Sequence, residues 1–330
     1  MPQQLSQTLN LILKQTSRAF YLSLVVLPSR SRRPLSLAYL LARAADTVAD
    51  SETGLEVDRS ETLRQLKHAI HSEPGERIPI DLARFVPEHS GERQLLCHVP
   101  ELLAELDGTP EDQKRAIKGV VSTLIDGMLW DQELFARPSS DGLSDSDLDR
   151  YTYFVAGCVG PFWSEICAGD DQRLESLKSA PNLEMAIEFG KALQWVNILR
   201  DIPKDQENGR CYLPHLSASN FGQRFVSSGQ RALRAFSQAV QYPLLFPPSY
   251  TRDRFAVFLP LVLGLRTLAC LFSDGGPRRN VRVKVKRAEV FFWLAVGSLV
   301  IHHNGLLKFV LSRLQKRAHE ALHALELSGV

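Results

Sequence analysis

Apolar residues recur at intervals of three and four positions along almost the whole chain, and this periodicity constrains the fold most strongly. Leu5, Leu9, Ile12 and Leu13 open the chain in this pattern, and segment 37–45 repeats it. Residues with this spacing share one face of an α-helix, whereas the strict alternation typical of β-strands is nearly absent. The sequence therefore predicts an all-α fold, a multi-helix bundle formed as a single domain over residues 1–330.

The composition excludes several classes of protein. With 330 residues, 44% of them hydrophobic, the chain has enough apolar material for a large core. The net charge of +2 arises from 39 basic and 37 acidic residues, so charge gives no indication of a nucleic-acid partner. The five cysteines are widely spaced without a C-x-x-C pair, which argues against a disulfide framework or a cysteine zinc site.

The N-terminal segment and the apolar runs predict a soluble, cytoplasmic protein. The first fifteen residues lack the basic start and apolar core of a signal peptide. The apolar runs 255–265 and 290–301 are shorter than the roughly 18 residues that span a bilayer. Contact with a membrane surface is left open, and the sequence does not indicate an oligomeric state.

Two pairs of aspartates, Asp46 with Asp50 and Asp201 with Asp205, have the same four-residue spacing. On a helix such carboxylates share a face and repel each other, at a cost of a few tenths of a kcal/mol. A single pair is better explained by an exposed helix face with salt bridges to its neighbours. Two similar pairs in similar surroundings favour a bound cation instead.

Each aspartate pair belongs to a longer polar stripe. At about 100° per residue, each stripe falls within an arc of roughly 60–80° between apolar flanks. The stripes consist of Tyr39, Arg43, Asp46 and Asp50, and of Gln194, Asn197, Asp201 and Asp205. Their oxygen ligands suit Mg²⁺, and nearby guanidinium groups, those of Arg18, Arg43, Arg200 and Arg210, match phosphate oxygens. The sequence thus indicates a metal-bridged diphosphate.

Six segments carry a resemblance to a known family. They are SRAF (17–20), YLLARAADTVAD (39–50), IDGMLWD (125–131), YTYFVAGCVG (151–160), LQWVNILRDIPKD (193–205) and GRCYLP (209–214). In this order they resemble the squalene and phytoene synthases, which join two isoprenoid diphosphates head to head. The resemblance extends from residue 17 to about residue 290 and implies a helical isoprenoid-synthase fold with a central active-site cavity.

The resemblance also implies roles for individual residues. The predicted Mg²⁺ ligands are Asp46, Asp50, Asn197, Asp201 and Asp205. Residues expected to grip the diphosphates are Ser17, Arg18, Tyr39, Arg43, Arg200 and Arg210. Tyr151 is expected to assist the first half-reaction, Gln194 to line the cavity, and Phe20, Val155 and Val159 to shield the carbocation from water. Arg43, Tyr151 and the four aspartates form the predicted catalytic set.

Simpler explanations exist for several of these residues. Tyr151 and Phe20 also fit ordinary core positions, and Gly157 and Gly160 also fit close helix packing. Pro203, inside the second aspartate pair, is expected to distort the helix and makes the position of Asp205 less certain. The segment AVFLP, which ends at Pro260, stands where eukaryotic squalene synthases tend to carry an aromatic residue and a cysteine, so the lining of the tail pocket on this helix is expected to differ from theirs.

The segment RRNVRVKVKR, residues 278–287, contains six positive charges and fits either a solvated loop or a phosphate-binding site. The resemblance implies that Lys284, Lys286 and Arg287 hold NADPH. This favours a squalene synthase that condenses two farnesyl diphosphates and reduces the cyclopropyl diphosphate intermediate. A phytoene or dehydrosqualene synthase, which finishes by proton loss, is the alternative, and a non-catalytic assembly factor of the same fold is a weaker one.

The segment HEALH, residues 319–323, matches the pattern of zinc proteases. Only seven residues follow it, and they offer no credible third zinc ligand. A solvated helix near the end of the chain is the expected structure.

Overall fold

The computed structural model describes residues 5–17, 20–51, 56–86, 91–135, 142–214, 216–217, 219–278 and 283–328. Within these ranges the chain forms fourteen α-helices, several short 3-10 turns and one π-helical turn, with no β-strand. The all-α prediction is confirmed. Contacts group the chain into two compact units, Met1–Ala136 with Glu165–Gly169, and Arg137–Ser164 with Asp170–Val330. The single domain stays a prediction.

The first unit is arranged around one long helix, α3. Its helices are α1 (Gln7–Thr16), α2 (Phe20–Val26), α3 (Ser29–Ala49), α4 (Glu56–His71), α5 (Gly91–Cys97), α6 (Val99–Asp107) and α7 (Glu111–Phe135). Helix α3 packs against α4, α5, α6 and α7. Its buried stripe includes Leu37, Leu40, Leu41 and Ala44. Burial of each leucine stabilises the fold by about 1.5–3 kcal/mol, so this stripe fixes which face of α3 points away from the core.

The second unit is arranged around α10 and α12. Its helices are α8 (Asp145–Thr152), α9 (Val159–Ala168, grouped with the first unit from Glu165 onwards), α10 (Ala180–Glu207), α11 (Phe221–Ala239), α12 (Thr251–Ser273), α13 (Arg287–Val300) and α14 (Asn304–Leu327). Helix α10 packs against α11 and α12, and α12 also packs against α13 and α14. Ser144 caps α8, since its Oγ accepts a hydrogen bond from the Asp147 backbone N–H.

Helix α12 corrects the estimate that every apolar run is too short to span a bilayer. Its 23 residues have a mean hydropathy of 2.1 in the most apolar window, which by length and composition alone would suffice to cross a membrane. Arg266 interrupts the apolar run in the sequence, but the helix continues past it to Ser273. Because 72% of that window is buried inside the protein, α12 has the character of a core helix.

Helix α10 lies very close to the start of α9 and to the turn before it, because glycines leave no side chains between them. A Cβ on Gly160 would lie 2.0 Å from the Ala186 carbonyl oxygen, and a Cβ on Gly190 would lie 2.3 Å from that of Ala156. Close packing therefore explains Gly160 without a catalytic role. Between α8 and α9 the chain forms a π-helical turn, Tyr153–Gly157.

Pro203 does not end α10, which continues to Glu207. Proline lacks the N–H that would bind the carbonyl four residues earlier, so one helical hydrogen bond is lost. Ile198 and Ile202, which both precede Pro203, are buried, and burial of such apolar side chains stabilises this part of the helix. Asp205 therefore lies one helical turn after Asp201, as the spacing predicts.

Candidate active site

The polar stripe of α3 is centred on Arg43, which lies between two carboxylates. Its Nη1 donates to Asp46 Oδ2, and its Nη2 lies 3.5 Å from Glu92 Oε1 on α5. Burial acts to lower the pKa of Arg43, but Asp46, Tyr39 and Glu92 outweigh burial and raise this pKa above its usual value. The guanidinium is thus a permanent cation. Its Nε is buried and has no hydrogen-bond partner among the described residues.

Asp46 and Asp50 lie at the C-terminal end of α3. Asp46 is half-buried, whereas Asp50 is exposed and is the C-cap of the helix. The Asp50 backbone N–H donates to the Asp46 carbonyl at 2.9 Å, so the helical spacing of the pair is intact.

Three more predicted residues of the first unit lie near one another. The Tyr39 hydroxyl donates to the Thr16 carbonyl at 3.1 Å, and the Tyr39 ring lies 5.4 Å from the ring of Phe20. Ser17 is buried, and its hydroxyl donates to the Leu13 carbonyl. Arg18 lies outside the described residues. The segment that follows α1 thus brings Ser17 and Phe20 close to the tyrosine of the α3 stripe.

The polar stripe of α10 forms a continuous chain of hydrogen bonds. Asn197 Nδ2 donates to Gln194 Oε1 at 3.1 Å, and Asn197 Oδ1 accepts from Arg200 Nη2 at 3.0 Å. Arg200 Nε donates to Asp201 Oδ1 at 2.9 Å, while its Nη2 also binds Asp201 Oδ2. Only about a fifth of the Arg200 and Asp201 side chains is exposed, 18% and 21% respectively. The stripe is therefore partly shielded from water.

Asp205 continues the α10 stripe into a small recess. Besides Asp205, this recess is lined by Ile202, Arg210 and Tyr212. The Arg210 backbone N–H donates to the Asp205 carbonyl at 2.8 Å, which turns the chain back after α10. The predicted diphosphate-binding Arg210 thus lies beside the predicted metal ligand Asp205.

Tyr151 is buried, and its ring stacks on that of Tyr212, with centroids 4.5 Å apart and an interplanar angle of 25°. Val155, within the π-helical turn, and Val159, at the start of α9, are both half-buried. Turns of this kind are frequent at functional sites because they shift side chains out of the helical register.

The structure places two further residues at the candidate site, Tyr212 and Glu92, to which the sequence analysis assigns no role. Tyr212 belongs to GRCYLP, so the motif points to it, but its stacking on Tyr151 depends on the tertiary fold. Glu92 has no sequence signal at all, because it reaches Arg43 from a different helix.

Lys284 and Lys286 lie exposed just before α13, and Arg287 is the first residue of that helix. Residues 279–282 of the basic segment lie outside the described residues. The nearest acidic residue in sequence, Glu289, is held by Arg266. Three exposed cations within four positions have the charge to bind phosphate groups, and their role in holding NADPH stays a prediction.

The aspartates have the chemistry that Mg²⁺ requires. Across the described parts of the chain, no group of three or more His, Cys, Asp and Glu side chains is arranged to hold a metal ion. Each of α3 and α10 instead carries two carboxylates one turn apart. Mg²⁺ is commonly bound by one or two carboxylates, while water and substrate phosphate complete its coordination, so these pairs fit the ion.

The chain is similar to several known proteins. A family model described as squalene/phytoene synthase matches residues 13–224. The squalene synthase of Bos taurus is 29% identical over 292 residues, which cover 84% of this chain and 66% of that protein. The presqualene diphosphate synthase of Zymomonas mobilis is 30% identical over 198 residues, which cover 60% of this chain and 56% of that protein.

Solved structures show the same fold. A complex of TcSQS with a ligand aligns with a TM-score of 0.73 at 19% identity, covering 97% of this chain and 99% of that chain. The chain spans less than two thirds of the two curated relatives, 66% of one and 56% of the other.

Proposed function

Because the chain belongs to the squalene/phytoene synthase family, we propose that it is a Mg²⁺-dependent farnesyltransferase that joins two farnesyl diphosphates head to head and reduces the product to squalene with NADPH. One observation carries the proposal. On each of the two predicted stripes, an arginine lies hydrogen-bonded to an aspartate, Arg43 to Asp46 and Arg200 to Asp201.

These pairs favour a substrate site over an ordinary salt-bridged surface. An ion pair on a solvated helix face contributes little to stability. An ordinary surface pair is therefore expected to be exposed to water. Here Arg200 and Asp201 are mostly buried, and the buried Nε of Arg43 has no hydrogen-bond partner within the described part of the chain. A guanidinium held in this way is preorganised to bind phosphate oxygens.

We assign the diphosphate and metal sites as follows. The oxygens of Asp46, Asp50, Asn197, Asp201 and Asp205 hold Mg²⁺, which when bound supplies Lewis-acid stabilisation of the departing diphosphate. Phosphate oxygens are bound by Ser17, Arg18, Tyr39, Arg43, Arg200 and Arg210. The two arginines already paired with aspartates orient the diphosphate, because their guanidinium planes are fixed before substrate arrives.

The apolar residues protect the reacting carbons from water. Phe20 beside Tyr39, with Val155 and Val159, supplies apolar surface that a carbocation tolerates and that excludes competing hydrolysis. Tyr151, stacked on Tyr212, holds its ring in one orientation near the departing group. Gln194 orients Asn197 through their hydrogen bond.

The second half-reaction requires a reductant. Lys284, Lys286 and Arg287 bind the phosphates of NADPH as point charges, since the sequence has no glycine-rich dinucleotide motif. Quenching or enhancement of NADPH fluorescence on binding measures this independently of turnover. Substitution of the three cations by glutamine is expected to abolish the fluorescence change.

The product distinguishes the activities within this family. The protein is incubated with farnesyl diphosphate and Mg²⁺, with and without NADPH, and the lipid extract is analysed by mass spectrometry. The proposal predicts squalene only when NADPH is present. Dehydrosqualene formed without NADPH would establish the alternative chemistry instead, as would phytoene formed in a parallel incubation with geranylgeranyl diphosphate.

A second candidate function is supported by the similarity to the presqualene diphosphate synthase of Zymomonas mobilis. In that case the reaction stops at the cyclopropyl diphosphate. Accumulation of this diphosphate, unchanged when NADPH is added, identifies that activity in the same incubation.

The proposed partners are isoprenoid diphosphates and not nucleic acid, and a cytoplasmic location remains a prediction. Contact with a membrane surface is consistent with amphipathic substrates and a hydrocarbon product.

A further inference from the structure

Helix α13 is apolar on the face that it turns towards the protein. Gly297 and Val300 are buried there. A Cβ on Gly297 would lie 2.8 Å from the rings of Phe255 and Phe258 on α12, so glycine is needed for the two helices to pack this closely. One face of α13 is therefore fully used for packing on the core of the second unit.

The opposite face of α13 is also apolar, and it is exposed. Phe291, Phe292 and Leu299 are 69%, 56% and 72% exposed. With Ala288 and Ala295, which are also exposed, they follow helical spacing and form one stripe, which we call the outer α13 face. A helix that is apolar all round is normally buried, so this face requires a partner.

A second exposed apolar pair follows directly in the chain. Helix α14 begins after a short turn, and its first two turns expose Leu306 and Phe309, three residues apart. Helices α13 and α14 are in contact. The exposed apolar residues of this part of the second unit thus belong to two adjoining helices.

The charges that flank the outer α13 face along the chain are almost all positive. Residues 283–313 contain Lys284, Lys286, Arg287, Lys308 and Arg313, all of them exposed. Their one acidic residue, Glu289, is neutralised by Arg266. An apolar stripe beside several cations is the pattern of helices that lie in the interface of anionic membranes.

We propose that the outer α13 face docks the protein on an anionic lipid bilayer, with Phe291, Phe292 and Leu299 inserted at the level of the headgroups. A second copy of the chain fits this face less well. In a symmetric dimer the same patch meets itself, which would bring the flanking cations of both copies together. An anionic bilayer accepts the aromatic side chains and neutralises the cations at once. This inference does not depend on the proposed catalytic activity.

Vesicle co-sedimentation of the full chain tests the proposal. The vesicles contain phosphatidylcholine alone or with 30 mol% phosphatidylglycerol, on the order of physiological anionic content. The variant Phe291→Ser/Leu299→Ser removes two exposed anchors without altering the core. The control variant, Ile78→Ser/Leu327→Ser, removes two equally exposed apolar residues elsewhere, which are 73% and 74% exposed.

The proposal predicts binding to the anionic vesicles that 0.5 M NaCl weakens at least tenfold, as expected where screening is strong. The Phe291→Ser/Leu299→Ser variant is expected to bind at least tenfold more weakly, and the control variant to bind like the wild type. Lys308→Gln/Arg313→Gln, which avoids the residues assigned to NADPH, is expected to weaken binding several-fold. Equal binding by the first variant and the wild type would overturn the proposal, as would salt-independent binding to neutral vesicles.

Two further measurements complete the test. Trp293 lies on α13, with its ring centroid 5.0 Å from that of Phe292. Brominated lipids are therefore expected to quench its fluorescence, and Trp293→Phe is expected to remove that quenching. Light scattering of the free protein gives its mass. A wild-type dimer that the Phe291→Ser/Leu299→Ser variant converts to a monomer would assign the face to a second copy and overturn the lipid proposal.

Discussion

Arg200 binds both carboxylate oxygens of Asp201, the residue that follows it in α10, and also donates to Asn197 at 3.0 Å. One guanidinium thus ties together two predicted metal ligands. On α3 the predicted phosphate-binding Arg43 donates a single hydrogen bond, from Nη1, to Oδ2 of the predicted ligand Asp46. In both cases the arginine guanidinium, which would bind phosphate, and the aspartate carboxylate, which would bind metal, hold each other in place before any substrate is present.

We expect Asp201→Asn to lower kcat at least about 10²-fold, because it removes a charged metal ligand worth several kcal/mol in the transition state. The fold should persist, since a partly exposed polar substitution changes the free energy of unfolding by about 1 kcal/mol or less. Steady-state kinetics and circular dichroism measure the two effects. Asp149→Asn, which breaks only the surface pair with Lys191, is the control and should retain activity. Full activity of Asp201→Asn would contradict its role as a ligand.

Glu92→Gln should have a small effect, because Glu92 acts only through Arg43 across a partly exposed contact of 3.5 Å. Such a pair contributes about 0.2–1 kcal/mol, which corresponds to a decrease in kcat/KM of about 1.4- to 5-fold. Glu92→Asp should recover part of the loss. A decrease of more than about 100-fold would mean that Glu92 itself contacts the substrate or the metal.

Gly160→Ala should be strongly destabilising, because its Cβ would lie 2.0 Å from the Ala186 carbonyl oxygen and the backbone must move. Overpacking of this kind costs about 1–3 kcal/mol or more. The control is Gly119→Ala in α7, where nothing lies within 4 Å of the new Cβ. That variant should gain up to about 1 kcal/mol from helix propensity. Urea unfolding gives both values, and equal midpoints for the two variants would contradict the close approach of the two segments.

Substitutions of Arg254 and of Asn304 should have different effects on the free energy of unfolding. Arg254 is fully buried, burial lowers its pKa, and its Nη2 donates to Asn304 Oδ1 at 2.6 Å. Asn304→Ala removes this acceptor from a buried cation and should cost about 1.5–3 kcal/mol. Arg254→Met replaces the cation with an apolar side chain of similar length, and should leave stability within about 1 kcal/mol of the wild type or raise it. Equal large losses in both variants, measured by urea unfolding, would contradict this account.

Cys158 should be chemically inert at pH 8. Burial raises the pKa of its thiol to about 12. Since a raised pKa keeps the thiol protonated below it, only about one molecule in 10⁴ carries the reactive thiolate at pH 8. Mass mapping after iodoacetamide treatment should show modification of the exposed Cys97 well before Cys158. Labelling of both at equal rates would show that Cys158 is accessible.

Helical periodicity was sufficient to predict α3 and α10 and the polar stripe on each, because the face of a helix follows from spacing alone. Two features of the helices could be determined only from the tertiary structure, namely the effect of Pro203 on α10 and the length of α12. Pro203 lies inside α10, which continues to Glu207, and α12 runs past Arg266 to Ser273, with most of its apolar window buried.

The contacts that bind distant segments were not predictable. Glu92 reaches Arg43 only because α5 packs on α3. The stacking of Tyr151 on Tyr212 depends on the turn after α10. Spacing within one segment gives no information on such pairs. The outer α13 face was not predictable for a related reason. An apolar run in the sequence does not show which side of the helix packs against the protein and which side is exposed.

In the proposed function, the aspartates of α3 and those of α10 are both required to bind a Mg²⁺-diphosphate. Isothermal titration of inorganic pyrophosphate into the wild type, Asp46→Asn and Asp201→Asn, each with and without Mg²⁺, measures this requirement. We predict Mg²⁺-dependent binding by the wild type and at least tenfold weaker binding by each variant. Unchanged affinity in either variant, or wild-type binding that does not depend on Mg²⁺, would contradict the claim.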